Sequence, residues 1–145
     1  PRDSIRRQRQ MCIRDSFRAI KKEPKLYLWD WSEIRDEGAR FENCMASHLL
    51  KLIHFLQDYG GYKAELYYLR TAEKKEVDFL VTINEKPWFA VEAKLTDANI
   101  SPHLLYFMQK LDIPFVYQVL KKNGVDIYQN HVRIISADRF LAALV

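Results

Sequence analysis

The chain has 145 residues, is 48% hydrophobic and carries a formal net charge of +4, which suits one domain with a real core and argues against two. No apolar run approaches the ~18 residues of a membrane span. The basic N-terminus is not followed by the apolar stretch of a secretory signal, so a cytoplasmic protein is expected. The two cysteines, Cys12 and Cys44, have neither CxxC nor Cys/His spacing, which speaks against a zinc site or a disulfide framework.

The positive charge sits at the start of the chain. Residues 1–22 hold eight Lys or Arg and two Asp, and the remainder is slightly acidic, at −2. Within this tail Pro1-Arg2-Asp3-Ser4-Ile5-Arg6 is echoed by Cys12-Ile13-Arg14-Asp15-Ser16, and no hydrophobic periodicity is present. The stretch Met11–Ser16 resembles translated sequencing-adapter read-through. Residues 1–22 are therefore expected to be a disordered or artefactual tail, a DNA-binding basic arm being the alternative. The domain is expected over 23–145.

In chain order, Lys25–Asp30 reads as a strand after Pro24. Ser32 is the candidate N-cap of a long helix starting near Ile34 or Asp36 and stopping at Gly60-Gly61. Strands are expected at Ala64–Arg70, Glu76–Ile83 and Trp88–Leu95, joined by the polar turns Thr71–Lys75 and Asn84–Pro87, which are short enough for antiparallel hairpins. Ser101-Pro102 starts a second helix that ends before Ile113-Pro114. A strand at Phe115–Leu120, two shorter ones near Val125–Tyr128 and Val132–Ile135, and a closing helix at Ala137–Leu144 complete the chain. The central order α-β-β-β-α-β implies a layered domain of helices on a sheet.

Three segments carry the chemistry. In Phe89-Ala90-Val91-Glu92-Ala93-Lys94, strand alternation puts Glu92 and Lys94 on one face; a solvent-facing edge with a local ion pair explains this pair equally well on its own. Asp78 interrupts strong β-formers in Glu76-Val77-Asp78-Phe79-Leu80-Val81. A hairpin can bring it beside Glu92, and two such carboxylates repel unless a cation lies between them; two surface acids on separate faces are the alternative. In the long helix, Phe41, Met45, His48, Leu49, Leu52, Ile53, Phe55 and Leu56 fall within an arc of roughly 160°. Glu42 lies inside that arc, where a carboxylate must be paired, ligate something, or reach water from the stripe's edge. His48 reads as a core histidine in the same stripe. Trp29, Trp31, Tyr67, Tyr68, Trp88, Tyr106 and Phe107 offer stacking surfaces but read mainly as packing residues. Gln109 and Gln118 carry no functional reading.

The order Glu42, Asp78, Glu92-x-Lys94 is similar to that of the PD-(D/E)XK phosphodiesterase superfamily. Further phrases, Lys25–Ser32, Ala39-Arg40-Phe41-Glu42-Asn43, Tyr67-Tyr68-Leu69-Arg70, Glu76–Val81 and Val91-Glu92-Ala93-Lys94, resemble the C-terminal domain of a prokaryotic AAA-type ATPase family, domain of unknown function 4143. The family's usual Asp-[Thr/Pro]-Gly is here Asp30-Trp31-Ser32. The resemblance implies an α/β, restriction-endonuclease-like core with a mixed sheet flanked by helices. It implies a P-loop ATPase module as N-terminal partner. No GxxxxGK[ST] occurs in this sequence, so ATP would bind only in that module. It also implies a candidate Mg²⁺- or Mn²⁺-dependent phosphodiesterase acting on DNA. Asp78, Glu92 and the Ala93 carbonyl would hold the metal, Glu42 a metal-bound water or second ion, and Lys94 the attacking water. Arg70, Lys74 and Lys75 are candidate phosphate contacts. A non-catalytic DNA-docking or protein-interaction module on the same fold is the alternative.

Overall fold

A computed structural model describes residues 5–10, 25–28 and 30–144, with side chains from Tyr27 onward except Trp29. Strands β1 (Ile5–Gln10) and β2 (Lys25–Leu28) pair antiparallel, and β1 continues parallel to β3 (Ala64–Arg70). Part of the basic tail, expected to lack structure, is thus placed as a strand; its boundary at residue 22 lies outside the described residues.

Trp31–Glu33 is a 3₁₀ turn in which the Asp30 carboxylate accepts from the Ser32 backbone N–H at 3.1 Å and from the Ser32 hydroxyl at 2.5 Å. Ser32 is therefore not the cap of the long helix α1 (Glu37–Gly60). Asp36 is, with its carboxylate accepting the Ala39 N–H at 2.7 Å, one of the donors a helix start leaves free. Gly61, in the left-handed region at φ 63°, ends α1.

Phe41, Met45, Ala46, Leu49, Leu52 and Ile53 form the buried stripe of α1. The stripe is narrower than the sequence suggests. His48, Phe55 and Tyr59 follow at i, i+7 and i+11 along its margin and are exposed, with the Phe55 and Tyr59 rings 5.1 Å apart. His48 is not a core histidine.

The sheet runs β2-β1-β3-β4-β5-β6-β8-β7. Strands β3, β4 (Glu76–Ile83) and β5 (Lys86–Lys94) form the expected antiparallel meander. The β4–β5 turn is tighter than expected, because Asn84 and Glu85 both take positive φ, 50° and 68°, as a two-residue hairpin turn requires. Pro87 therefore lies within β5. The register shifts there, from Thr82↔Pro87 to Val81↔Phe89, and such an irregularity accommodates a residue without an N–H.

Helix α2 (Pro102–Leu111) crosses over to β6 (Phe115–Leu120), which lies parallel to β5. β7 (Asp126–Gln129) and β8 (Val132–Ser136) form a hairpin, with β8 parallel to β6, and α3 (Ala137–Ala142) closes the chain. One core, with Leu49, Leu52, Phe79, Val91 and Phe140, joins α1 and α3 to one sheet face. The other, with Leu80, Ala90, Leu104 and Phe107, joins α2 to the opposite face. The result is the helix-on-sheet layering expected from the element order, consistent with the α/β, restriction-endonuclease-like core that the resemblance implies. No helix among the described residues is long and apolar enough to cross a membrane.

Candidate functional site

The site forms where β4 and β5 part. Their backbone pairing ends at Phe79↔Val91, and Asp78 and Glu92 follow. On its other side β4 bulges: β3 steps from Tyr67↔Leu80 to Leu69↔Val77, so Asp78 and Phe79 together face Tyr68. A bulge adds a residue to one strand and re-aims the side chains beside it. The two carboxylates then take up backbone donors across the gap. The Asp78 N–H donates to Glu92 Oε2 at 3.2 Å, and the Ala93 N–H donates to Asp78 Oδ2 at 2.9 Å.

Alternation along β5 sends Phe89, Val91 and Ala93 toward α1 and Ala90 toward α2. Glu92 and Lys94 share the parity of Ala90. Glu92 is 8% exposed, and Lys94 Nζ lies 3.4 Å from its Oε1. Burial pushes the Glu92 carboxyl above the usual carboxylate range; the charge of Glu42 adds to this, while Lys94 and the Asp78 N–H oppose it.

Glu42, half-buried on α1, accepts the Tyr27 hydroxyl at 2.8 Å. The Tyr27 ring lies 5.8 Å from that of Phe79. Burial raises the Tyr27 pKa, and the nearby charges of Glu42 and Asp78 raise it further. Tyr68 behaves similarly: its hydroxyl donates to Glu76, and burial, Glu76 and Asp78 raise its pKa. Asn43, 3% exposed, ties α1 to β2 through the Leu28 backbone: the Leu28 N–H donates to Asn43 Oδ1 at 2.8 Å, and Asn43 Nδ2 donates to the Leu28 carbonyl.

Glu92 and Lys94 open onto a cleft of about 440 Å³ that is also lined by Lys74, Glu76, Asp97, Asn99, Ser101 and His103. Of the three candidate phosphate contacts, Lys74 reaches this cleft. Lys75 instead places its ammonium 3.9 Å from the centre of the Tyr106 ring. Arg70 Nε lies 3.8 Å from Glu76 Oε2 and is buried without a hydrogen bond. Of the aromatic residues, Tyr68 and Phe107 are buried, Trp88 packs edge-on against Phe89, and Trp31 is exposed at the 3₁₀ turn; Trp29 lies outside the described residues. A mostly apolar hollow of about 370 Å³ lies between Leu52, Phe89, Phe115 and Phe140, with Tyr117 and Arg133 also in its lining.

Two residues at the cleft had no sequence signal. His103 Nδ1 accepts the Glu76 N–H at 3.4 Å, joining the start of α2 to β4. Gln118, directly across from Glu92 in the parallel register, is fully buried. Their partners are backbone groups far along the chain, which no local pattern indicates.

Among the described residues, no group of three or more His, Cys, Asp or Glu side chains is arranged to hold a metal ion. Magnesium often takes only one or two protein carboxylates, with waters and substrate phosphates completing its shell. Asp78 and Glu92, hard oxygen donors with one of them buried, fit that smaller set; Glu42 stands behind them on Tyr27.

No curated protein matches the chain. A solved half-complex from a tetradecameric assembly of Thermococcus gammatolerans McrB AAA+ hexamers with bound McrC is similar at a TM-score of 0.44 and 10% identity, over 70% of this chain and 27% of that one. The chain thus spans about a quarter of the length of the protein it aligns with. The model of the family described as Domain of unknown function (DUF4143) matches residues 37–140, and the chain belongs to that family.

Proposed function

We propose that this domain is a divalent-metal-dependent phosphodiesterase acting on DNA. The observation that carries the reading is the cross-strand pair Asp78 and Glu92, with Lys94 3.4 Å from Glu92 at the mouth of a polar cleft. A buried carboxylate beside two others is costly, and a hard cation relieves that cost. Asp78 and Glu92 would supply its side-chain ligands, with the Ala93 carbonyl as a further oxygen and Glu42 holding a coordinated water. When bound, the metal supplies charge neutralisation at the scissile phosphate and lowers the pKa of a bound water.

The protein's own groups do the rest. Lys94, whose ammonium lies on the cleft side of Glu92, orients the attacking water. Lys74, at the cleft's rim, attracts the phosphodiester. Tyr27 keeps the Glu42 carboxylate turned toward the hairpin. The P-loop ATPase module implied by the resemblance belongs to the same proposal, and a Walker A motif is expected in the reading frame upstream.

One observation favours a second reading, a DNA-docking or protein-interaction module without catalysis. Both hairpin carboxylates already accept backbone N–H groups, and a purely structural role would use them in that way. Incubation with plasmid and single-stranded DNA in Mg²⁺ or Mn²⁺, beside Asp78→Ala and Lys94→Ala, decides between the two. Cleavage by the wild type alone supports the phosphodiesterase. No cleavage, or equal cleavage by all three proteins, supports the docking module.

A further inference from the structure

The chain between β5 and α2 forms one wall of the cleft, through Asp97, Asn99, Ile100 and Ser101. It has no strand or helix of its own to hold it. Ile100 packs against the core on the α2 side, and the polar anchor of the segment is a side chain from β6. Gln118 Nε2 donates to the carbonyls of Asp97 and Asn99 at 2.9 and 2.8 Å, and its Oε1 accepts the Ser101 N–H at 3.0 Å. Both amide hydrogens and the oxygen are thereby used, as a fully buried amide requires. The same wall is stiffened within itself, because the Asn99 N–H donates to Asp97 Oδ1 at 2.9 Å.

The placement ties the wall to the chemistry. Gln118 sits opposite Glu92, and Leu120 opposite Lys94, in the β5–β6 register. Adjacent parallel strands therefore present the two charged residues and the anchor of the wall beside them. A shift of Gln118 moves the wall relative to Glu92 and Lys94. The Asp97 carboxylate at that wall repels phosphate, whereas Lys94 and Lys74 attract it, so the spacing of the wall governs how a strand can lie in the cleft.

We propose that Gln118 is a positioning residue for this cleft: by clamping residues 97–101 it fixes the wall that aligns a polynucleotide strand beside Glu92 and Lys94. The inference rests on the phosphodiesterase reading and adds a determinant of substrate alignment to it.

The first test needs no variant. In the wild-type protein the Ser101 amide, bonded to a buried side chain, exchanges with solvent as slowly as the amides of β6; exchange at the rate of an open loop overturns the clamp. The second test compares wild type with Gln118→Leu on an oligonucleotide in Mg²⁺, with circular dichroism to verify folding. A loosened wall that no longer holds the strand in the cleft loses binding common to the ground and transition states, which raises KM roughly tenfold with kcat little changed. A merely structural role lowers the active fraction, so kcat falls at constant KM, and that result overturns the proposal. If Gln118→Leu does not fold, Asp97→Asn, which leaves the backbone carbonyl to Gln118, is expected to lower KM by relieving repulsion at the wall; an unchanged KM overturns the alignment role. Wild-type protein that cleaves nothing overturns the phosphodiesterase reading and the alignment role with it, whereas cleavage with unaltered KM in the loosened variant overturns this inference alone.

Discussion

Asp78 and Glu92 hold each other's strand. The backbone of Asp78 donates to the Glu92 carboxylate at 3.2 Å, while the Asp78 carboxylate accepts the N–H of Ala93, the residue after Glu92, at 2.9 Å. Side chains thus replace the backbone ladder where β4 and β5 separate. The structural and chemical duties of these carboxylates can be told apart by substitutions that keep the acceptor and remove the charge.

Asp78→Asn retains an oxygen for the Ala93 N–H and should change stability by no more than about 0.5 kcal/mol. Asp78→Ala leaves that N–H without its partner and should cost about 1–3 kcal/mol. Urea unfolding of the two variants measures the difference. Equal stability would show that the cross-strand bond contributes nothing to the hairpin.

Glu92 gives a pH signature. Its carboxyl titrates above the usual range because burial disfavours its charge, so the folded state binds the proton more tightly than the unfolded chain does. Its contribution to stability is fully present below the ordinary value of 4.5 and is lost as pH rises through the raised folded value. Glu92→Gln keeps an acceptor for the Asp78 N–H and removes this dependence. In a chelator, thermal melting from about pH 4 to pH 8 should show a gain in the variant's Tm over wild type that grows with pH. A constant difference would contradict the assignment.

Tyr27→Phe keeps the ring against Phe79 and deletes the hydroxyl bonded to Glu42. The expected loss is about 1 kcal/mol, read by denaturant unfolding. No loss would mean that water replaces the hydroxyl without cost.

The buried stripe of α1 and its exposed margin should differ sharply. Leu49 is fully buried between helix and sheet, so Leu49→Ala should cost about 2–5 kcal/mol. Phe55 is 42% exposed, and Phe55→Ala should cost under about 1 kcal/mol. Parallel unfolding curves check both, and similar losses would place the core boundary elsewhere on the helix.

Much of this architecture is legible in the sequence because it rests on local patterns. The bounds of β3, β4 and β6 follow from β-formers between polar turns, and Gly61 marks the end of α1. Asp36 displaced Ser32 as the cap because Asp30 already occupies Ser32 in a turn of its own. Pro87 reads as a turn residue until the shifted register within β5 is known. The site itself was only partly legible. Alternation puts Glu92 and Lys94 on one face, and helical periodicity puts Glu42 inside the apolar arc of α1, where it is half-buried. The position of Asp78, however, depends on a bulge opposite Tyr68 that no spacing indicates. Gln118 was invisible for a different reason: its partners are backbone atoms 17 to 21 residues away, and only the closed fold brings them together.

The central claim is that Asp78 and Glu92 bind a divalent cation. Calorimetric titration of Mn²⁺ into the wild type, Asp78→Asn and Glu92→Gln tests it without requiring turnover. Saturable binding by the wild type, with affinity reduced at least about tenfold in each variant, is the predicted result. Wild-type protein that binds no Mn²⁺, or variants that bind it as well as the wild type does, would contradict the claim.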